Sequence, residues 1–124
     1  MNGADDALPL DPESLARAEA ALARLGTDYP RWIGADLAAA RACLDPAPDP
    51  IRLYRLVHDI KGQAGTFGYP LISAIAARLC AFLQAEPPYR DRVGRHLDAM
   101  AEVIARGLSG DGGEAGRELL SRLD

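Results

Sequence analysis

His58 and Lys61 stand one helical turn apart in the run His58-Asp59-Ile60-Lys61-Gly62-Gln63-Ala64-Gly65-Thr66-Phe67-Gly68. Lys61 is the single lysine among fourteen basic residues, and His58 is one of two histidines. An imidazole, neutral in a useful fraction near pH 7, is a competent nucleophile toward an activated phosphoryl group. The product carries about two negative charges, and an ammonium three residues on can hold them as a compact point charge. Arg55, three residues before His58, lies on the same side and can assist. Spacing alone leaves chance placement open, so the geometry of the helix has to decide.

Leu53, Leu56, Val57, Ile60, Ala64 and Phe67 recur at helical spacing and cluster about one direction. At about 100° per residue His58 points roughly 150° away from that stripe, which places it on the solvent face. Within about 60° of it lie Ile51, Tyr54, Arg55, Lys61, Gly62 and Gly65. Each helix-interior glycine costs on the order of 1 kcal/mol relative to alanine. Two of them beside an exposed histidine leave bare backbone, read as clearance for a second protein in preference to a tolerated weak spot near the helix end. Ile51, Tyr54, Arg55, Gly62 and Gly65 are therefore expected to form a partner-binding face around His58, with Tyr54 either in that face or turned partly into the bundle.

The sequence holds no Gly-rich phosphate loop, no nucleotide motif and no acidic cluster beside His58 to hold Mg²⁺. Asp59 projects to a different face and is poorly placed to orient the imidazole. The partner is expected to bring the metal and the other half of the site, so the chain is expected to be no self-sufficient enzyme and to have no cofactor of its own.

The elements that must position these residues are helical throughout. Residues 1–10 are acidic and Pro-containing and expected to be a disordered tail. Asp11-Pro12-Glu13 opens a helix with Leu15, Ala18, Leu22 and Leu25 on one face, expected to stop at Gly26. A second helix follows Thr27-Asp28 with Tyr29, Trp32, Ile33, Leu37, Ala40 and Leu44, ending at Asp45-Pro46-Ala47-Pro48. Asp49-Pro50 caps the His58 helix, and Gly68 suits its left-handed C′ position. Pro70 opens the next, with Ile72, Ile75, Leu79 and Phe82 inward, and Pro87-Pro88 stops it. Another runs from about Tyr89 to Leu108 with Val93, Leu97, Met100, Ile104 and Leu108. Ser109 to Gly116 is expected to be loose, before a short amphipathic helix with Leu119, Leu120 and Leu123. The fold class is thus all-α: an antiparallel four-helix bundle over 11–108 with an additional N-terminal helix, then a Gly-rich loop and short C-terminal helix over 109–124.

Composition agrees and sets limits. The 124 residues suffice for one domain, and Ala and Leu dominate while only 6% of residues are aromatic. A net charge of −4 with no Lys/Arg block disfavours nucleic acid. No signal-peptide pattern and no membrane-length apolar run is present, so a soluble, cytoplasmic protein is expected. Cys43 and Cys80 read as buried thiols, and with His58 and His96 they lack metal-ligand spacing. His96, amid Arg90, Arg92 and Arg95, reads as an exposed bystander.

His58-Asp59-Ile60-Lys61-Gly62, followed by Ala64-Gly65 and Phe67-Gly68, resembles the histidine-containing phosphotransfer (HPt) domains of two-component phosphorelays. Motif-level matching covers about residues 50–84; the bundle matches in outline. The resemblance implies that His58 is the phosphoacceptor, Lys61 the phosphoryl-stabilising cation and Gly62 the clearance position. It also implies phosphoryl exchange with aspartates of response-regulator receiver domains or hybrid histidine kinases, Mg²⁺ residing on the receiver. In that family a polar side chain from the following helix often approaches the histidine; here Cys80 and Gln84 are the candidates. Gln63 stands where small residues are more usual.

Two rivals are weighed against this phosphorelay carrier. A histidine-kinase-like dimerisation bundle needs two long helices and an ATP site, which the sequence lacks. A helical adaptor that binds signalling partners without being phosphorylated predicts that His58 is dispensable. A monomer is expected, because the bundle consumes its own apolar faces.

Overall fold

Asp11 starts the first helix by accepting the backbone N–H of Ser14 at 2.6 Å, with Pro12 in the first turn where its missing N–H costs nothing. The structure, a computed structural model, describes residues 11–85 and 90–123, so the expected tail at 1–10, the Pro87-Pro88 stop and the start at Tyr89 lie outside the described residues. Among the described residues five helices follow in order: α1 Pro12–Ala42, α2 Pro50–Ala64, α3 Pro70–Ala85, α4 Arg90–Ala105 and α5 Gly113–Ser121. Consecutive helices α1 to α4 pack side by side and α1 closes against α4, which makes the four-helix bundle.

The boundary expected at Gly26 is absent: the N-terminal helix and the helix after it are one continuous helix of 31 residues, with Pro30 in its interior. A single glycine costs a helix about 1 kcal/mol, too little to stop one anchored further along. Pro30 removes one donor, the one that residue 26 would have accepted from. Thr27 fills part of this turn by donating its hydroxyl to the Ala23 carbonyl at 2.9 Å. At 1.5 Å per residue α1 is about 46 Å long, against about 24 Å for the 16-residue α3 and α4. Its N-terminal half therefore outruns the bundle, and the stripe of Leu15, Leu22 and Leu25 is exposed.

Beyond that overhang the stripe enters the core. Tyr29 is buried and stacks on Phe67 and Tyr69 at 5.1 and 5.8 Å between centroids, followed inward by Ile33, Leu37, Ala40 and Cys43. Trp32, expected on this inner face, is 43% exposed and meets Phe67 edge-on. The core continues through Leu53, Val57 and Ile60 of α2, Ile72, Ile75 and Leu79 of α3, and Val93, Leu97 and Met100 of α4. Arg41 ties α1 to α4 through Asp98 at 2.8 Å.

Two helices end in the same left-handed cap. After α2, Tyr69 N–H bonds the Ala64 carbonyl at 2.8 Å and Gly68 N–H that of Gly65 at 3.2 Å, with Gly68 at φ 92°. This is the paired bonding of a Schellman motif, which needs a residue tolerant of positive φ at C′. Gly107 does the same after α4, with Leu108 N–H on Val103 at 2.9 Å. Leu108 thus lies beyond the α4 helix that was expected to contain it.

The Gly-rich tract is tied down where looseness was expected. Gly110 N–H bonds the Gly68 carbonyl at 2.9 Å and its own carbonyl accepts Leu71 N–H at 3.2 Å, satisfying an orphan donor at the start of α3. Gly116 is buried in α5, and Leu119 enters the core with Leu120 and Leu123 half-buried. Arg78 of α3 holds the Leu120 carbonyl at 3.1 Å.

His96 is not the exposed bystander expected from its arginine neighbours. It is 4% exposed, its ring lies parallel to Phe82 at 6.5 Å, and Nδ1 donates to the Arg92 carbonyl at 2.8 Å. Burial, chiefly, lowers its pKa below the usual 6.5, with Arg78, Arg92 and Arg95 acting in the same direction against the backbone bond. The unfolded chain then binds a proton near pH 6.5 that the folded one refuses until lower pH. Stability from this group is full above that pH and is lost as pH falls toward the folded pKa. Urea midpoints of the wild type are expected to fall between pH 7.5 and 5.5, and His96→Leu to flatten that slope; an equal slope in both would assign the dependence to other groups.

Candidate functional site

α2 carries the site, and local sequence explains its placement. Asp49 accepts the Arg52 N–H at 3.2 Å, Pro50 sets the first turn, and Leu53, Val57, Ile60 and Ala64 fall at spacings of four, three and four on the buried face. That stripe fixes the rotation of the helix. His58 is exposed as a result, as are Ile51, Arg55, Gly62 and Gly65, with Ile51 at 73%. Tyr54 and Lys61 are half-buried. The face drawn by helical angle is present in the fold.

The two glycines on this face have no internal packing duty. A Cβ added at Gly62 meets nothing within 4 Å, and one at Gly65 meets only Ser73 Oγ at 3.5 Å, an ordinary contact. The bare backbone beside His58 is open surface.

Tyr54 and His58, one turn apart, lie with ring centroids 6.0 Å apart and planes tilted by 31°. Gln84 of α3 donates its amide to the Tyr54 hydroxyl at 3.1 Å. Of the two α3 candidates for a group near the imidazole, Gln84 thus reaches Tyr54 instead. Cys80 is buried, which pushes its thiol pKa up while Lys61 nearby pulls the other way. No hydrogen bond from the described residues reaches the His58 ring.

Two residues were not singled out from sequence. Ser73 donates its hydroxyl to the Lys61 carbonyl at 2.8 Å, anchoring the α2 backbone under the lysine to α3. Leu83 joins Pro50, Ile51, Tyr54 and Gln84 around an open, largely apolar groove of about 340 Å³ next to the histidine. Ser73 precedes the part of α3 read for a polar partner, and Leu83 lies off that helix's apolar stripe, so neither carried a signal.

On α1, the carboxyl of half-buried Asp36 is pushed up by burial and then by Asp59 of α2. The acidic pair marks the flank of α2 facing α1, away from Lys61. Among the described residues no three His, Cys, Asp or Glu side chains gather closely enough to hold a metal ion, and no helix is long and apolar enough to cross a membrane.

The described residues thus form a helical bundle that presents His58 and Lys61 on the outward side of α2. The Hpt domain family matches residues 11–107 of the chain, and the chain belongs to that family. No curated protein and no solved structure matched it. Hpt domains are phosphocarriers, not enzymes in their own right, and work with receiver domains and kinases in two-component phosphorelays.

Proposed function

We propose that His58 accepts a phosphoryl group from the aspartyl phosphate of a receiver domain and returns it to another, making this chain a relay between aspartates. The observation that carries this is the exposed imidazole of His58, one turn from the only lysine, on a face that Gly62 and Gly65 leave open. In the forward step a ring nitrogen's lone pair attacks phosphorus, the N–P bond forms, the P–O bond to the aspartate breaks, and the carboxylate leaves with the electron pair. The attacking nitrogen carries no proton; the ring becomes cationic on phosphorylation, the proton on its other nitrogen passes to solvent, and the reverse step restores it. Lys61, with Arg55, meets the charge on the phosphoryl oxygens. The receiver supplies the acidic residues and Mg²⁺ that activate the mixed anhydride; docking uses Ile51, Tyr54, Arg55, Gly62 and Gly65.

Purified protein incubated with a phosphorylated receiver and Mg²⁺ is expected to acquire an acid-labile, base-stable label that His58→Ala lacks. Lys61→Ala is expected to keep the fold and slow loading by about 10- to 100-fold, the worth of one charge-assisted hydrogen bond. Absence of label on the wild type across a broad receiver panel would leave the adaptor bundle as the better reading.

A further inference from the structure

We infer that Tyr54, held from α3 by Gln84, is the positioning residue of the His58 imidazole. Side chains of a helix lean toward its N-terminus, so the ring at 58 lies over the turn that carries Tyr54. The 6.0 Å centroid separation falls within the range of attractive aromatic contacts. Tyr54 in turn is fixed at both ends. Its ring is half-buried against the bundle, and its hydroxyl takes the Gln84 amide across thirty residues of sequence. An exposed histidine without such a neighbour would sample several rotamers and spend part of its time facing away from an incoming phosphorus.

A ring contact is suited to this task in a way that a hydrogen bond is not. A bond from α3 to the imidazole would occupy one nitrogen and select a tautomer. Contact with a neighbouring aromatic ring restrains the ring plane and leaves both nitrogens available, one to take the phosphoryl group and the other to hold or release a proton. Gln84, which sequence offered as a direct partner of the histidine, acts through the tyrosine. The effect on transfer rests on the phosphocarrier reading; the restraint on the ring does not.

Imidazole ¹H–¹⁵N spectra of the unphosphorylated full chain separate the two. In Tyr54→Leu the His58 ring protons are expected to lose the ring-current displacement seen in the wild type. Gln84→Ala and Tyr54→Phe are expected to produce the same smaller displacement, and their combination no more than either alone. Resonances of the buried His96 serve as the control that each variant is folded. With saturating phosphorylated receiver, Gln84→Ala is expected to slow the maximal transfer rate by about 3- to 10-fold, the cost of re-ordering one side chain. His58 shifts in Gln84→Ala identical to wild type would overturn the inference, as would a defect confined to the receiver-concentration dependence, which would make Tyr54 a docking contact only. Moved shifts in a protein that no receiver labels would sustain the positioning and sink the phosphocarrier reading.

Discussion

Gly62→Leu is expected to yield a protein at least as stable as the wild type that transfers phosphoryl groups about 100-fold more slowly or not at all. The two effects have opposite signs because they come from different sources. Position 62 lies inside α2, is exposed, and has nothing within 4 Å of an added Cβ. Replacing glycine there by a good helix former removes a backbone-entropy cost of about 1 kcal/mol with no internal clash. The same side chain stands next to His58 on the face a receiver must approach. Displacing the reacting atoms by about 1 Å costs about 100-fold in rate. Gly62→Ala is expected to gain the same stability with a smaller loss of transfer, giving a graded series. Denaturant midpoints and single-turnover transfer rates on the three proteins measure both quantities. Transfer by Gly62→Leu at the wild-type rate would show that no partner surface comes near this position, and the open backbone would be unexplained.

Gly116→Ala is expected to be strongly destabilising, at about 2–3 kcal/mol, although it lies in α5 and not on the His58 helix. A Cβ at this position would collide with the Asp111 carbonyl oxygen and stand 3.2 Å from Leu71 Cδ2. The first obstacle is backbone and cannot swing aside, so the turn before α5 must open. That turn carries Gly110, whose two backbone bonds reach Gly68 and Leu71 at the α2–α3 junction. The strain is therefore passed to the core at Leu71 and not confined to the C-terminus. For a domain of this size the loss corresponds to a melting midpoint lower by about 8–12 °C. Loss of α5 signals with the midpoint of the bundle unchanged would mean that the C-terminal helix is an independent appendage.

How much of this was legible in the sequence differs by element. The rotation of α2 was fully legible, since four apolar residues at spacings of four, three and four can satisfy only one orientation toward a core. Exposure of His58 followed from it, as did the company of Ile51, Arg55, Lys61, Gly62 and Gly65. The left-handed turn that closes off α2 was legible because its C′ position, Gly68, needs a residue free to take positive φ. The join of the N-terminal helices was not. Gly26 and Pro30 are each breakers by local preference, and the choice between a turn and a continuous helix rests on tertiary anchoring of Tyr29 and Ile33. His96 was misread for a related reason: arginines at 92 and 95 suggest solvent, yet Phe82 from another helix covers the ring and the Arg92 carbonyl accepts a hydrogen bond from its Nδ1–H.

The sequence by itself determined the helical class, the outward direction of His58, and the pairing of an imidazole with an ammonium one turn on, because all three depend on helical periodicity. Only the tertiary structure decided that α1 outruns its neighbours, that Gly112 and Gly116 are packed against Leu71 while the glycines beside His58 are bare, and that Gln84 meets Tyr54 and not the histidine. These depend on which helix faces which, and at what axial offset. Spacing along a single chain segment carries the first kind of information and is silent on the second.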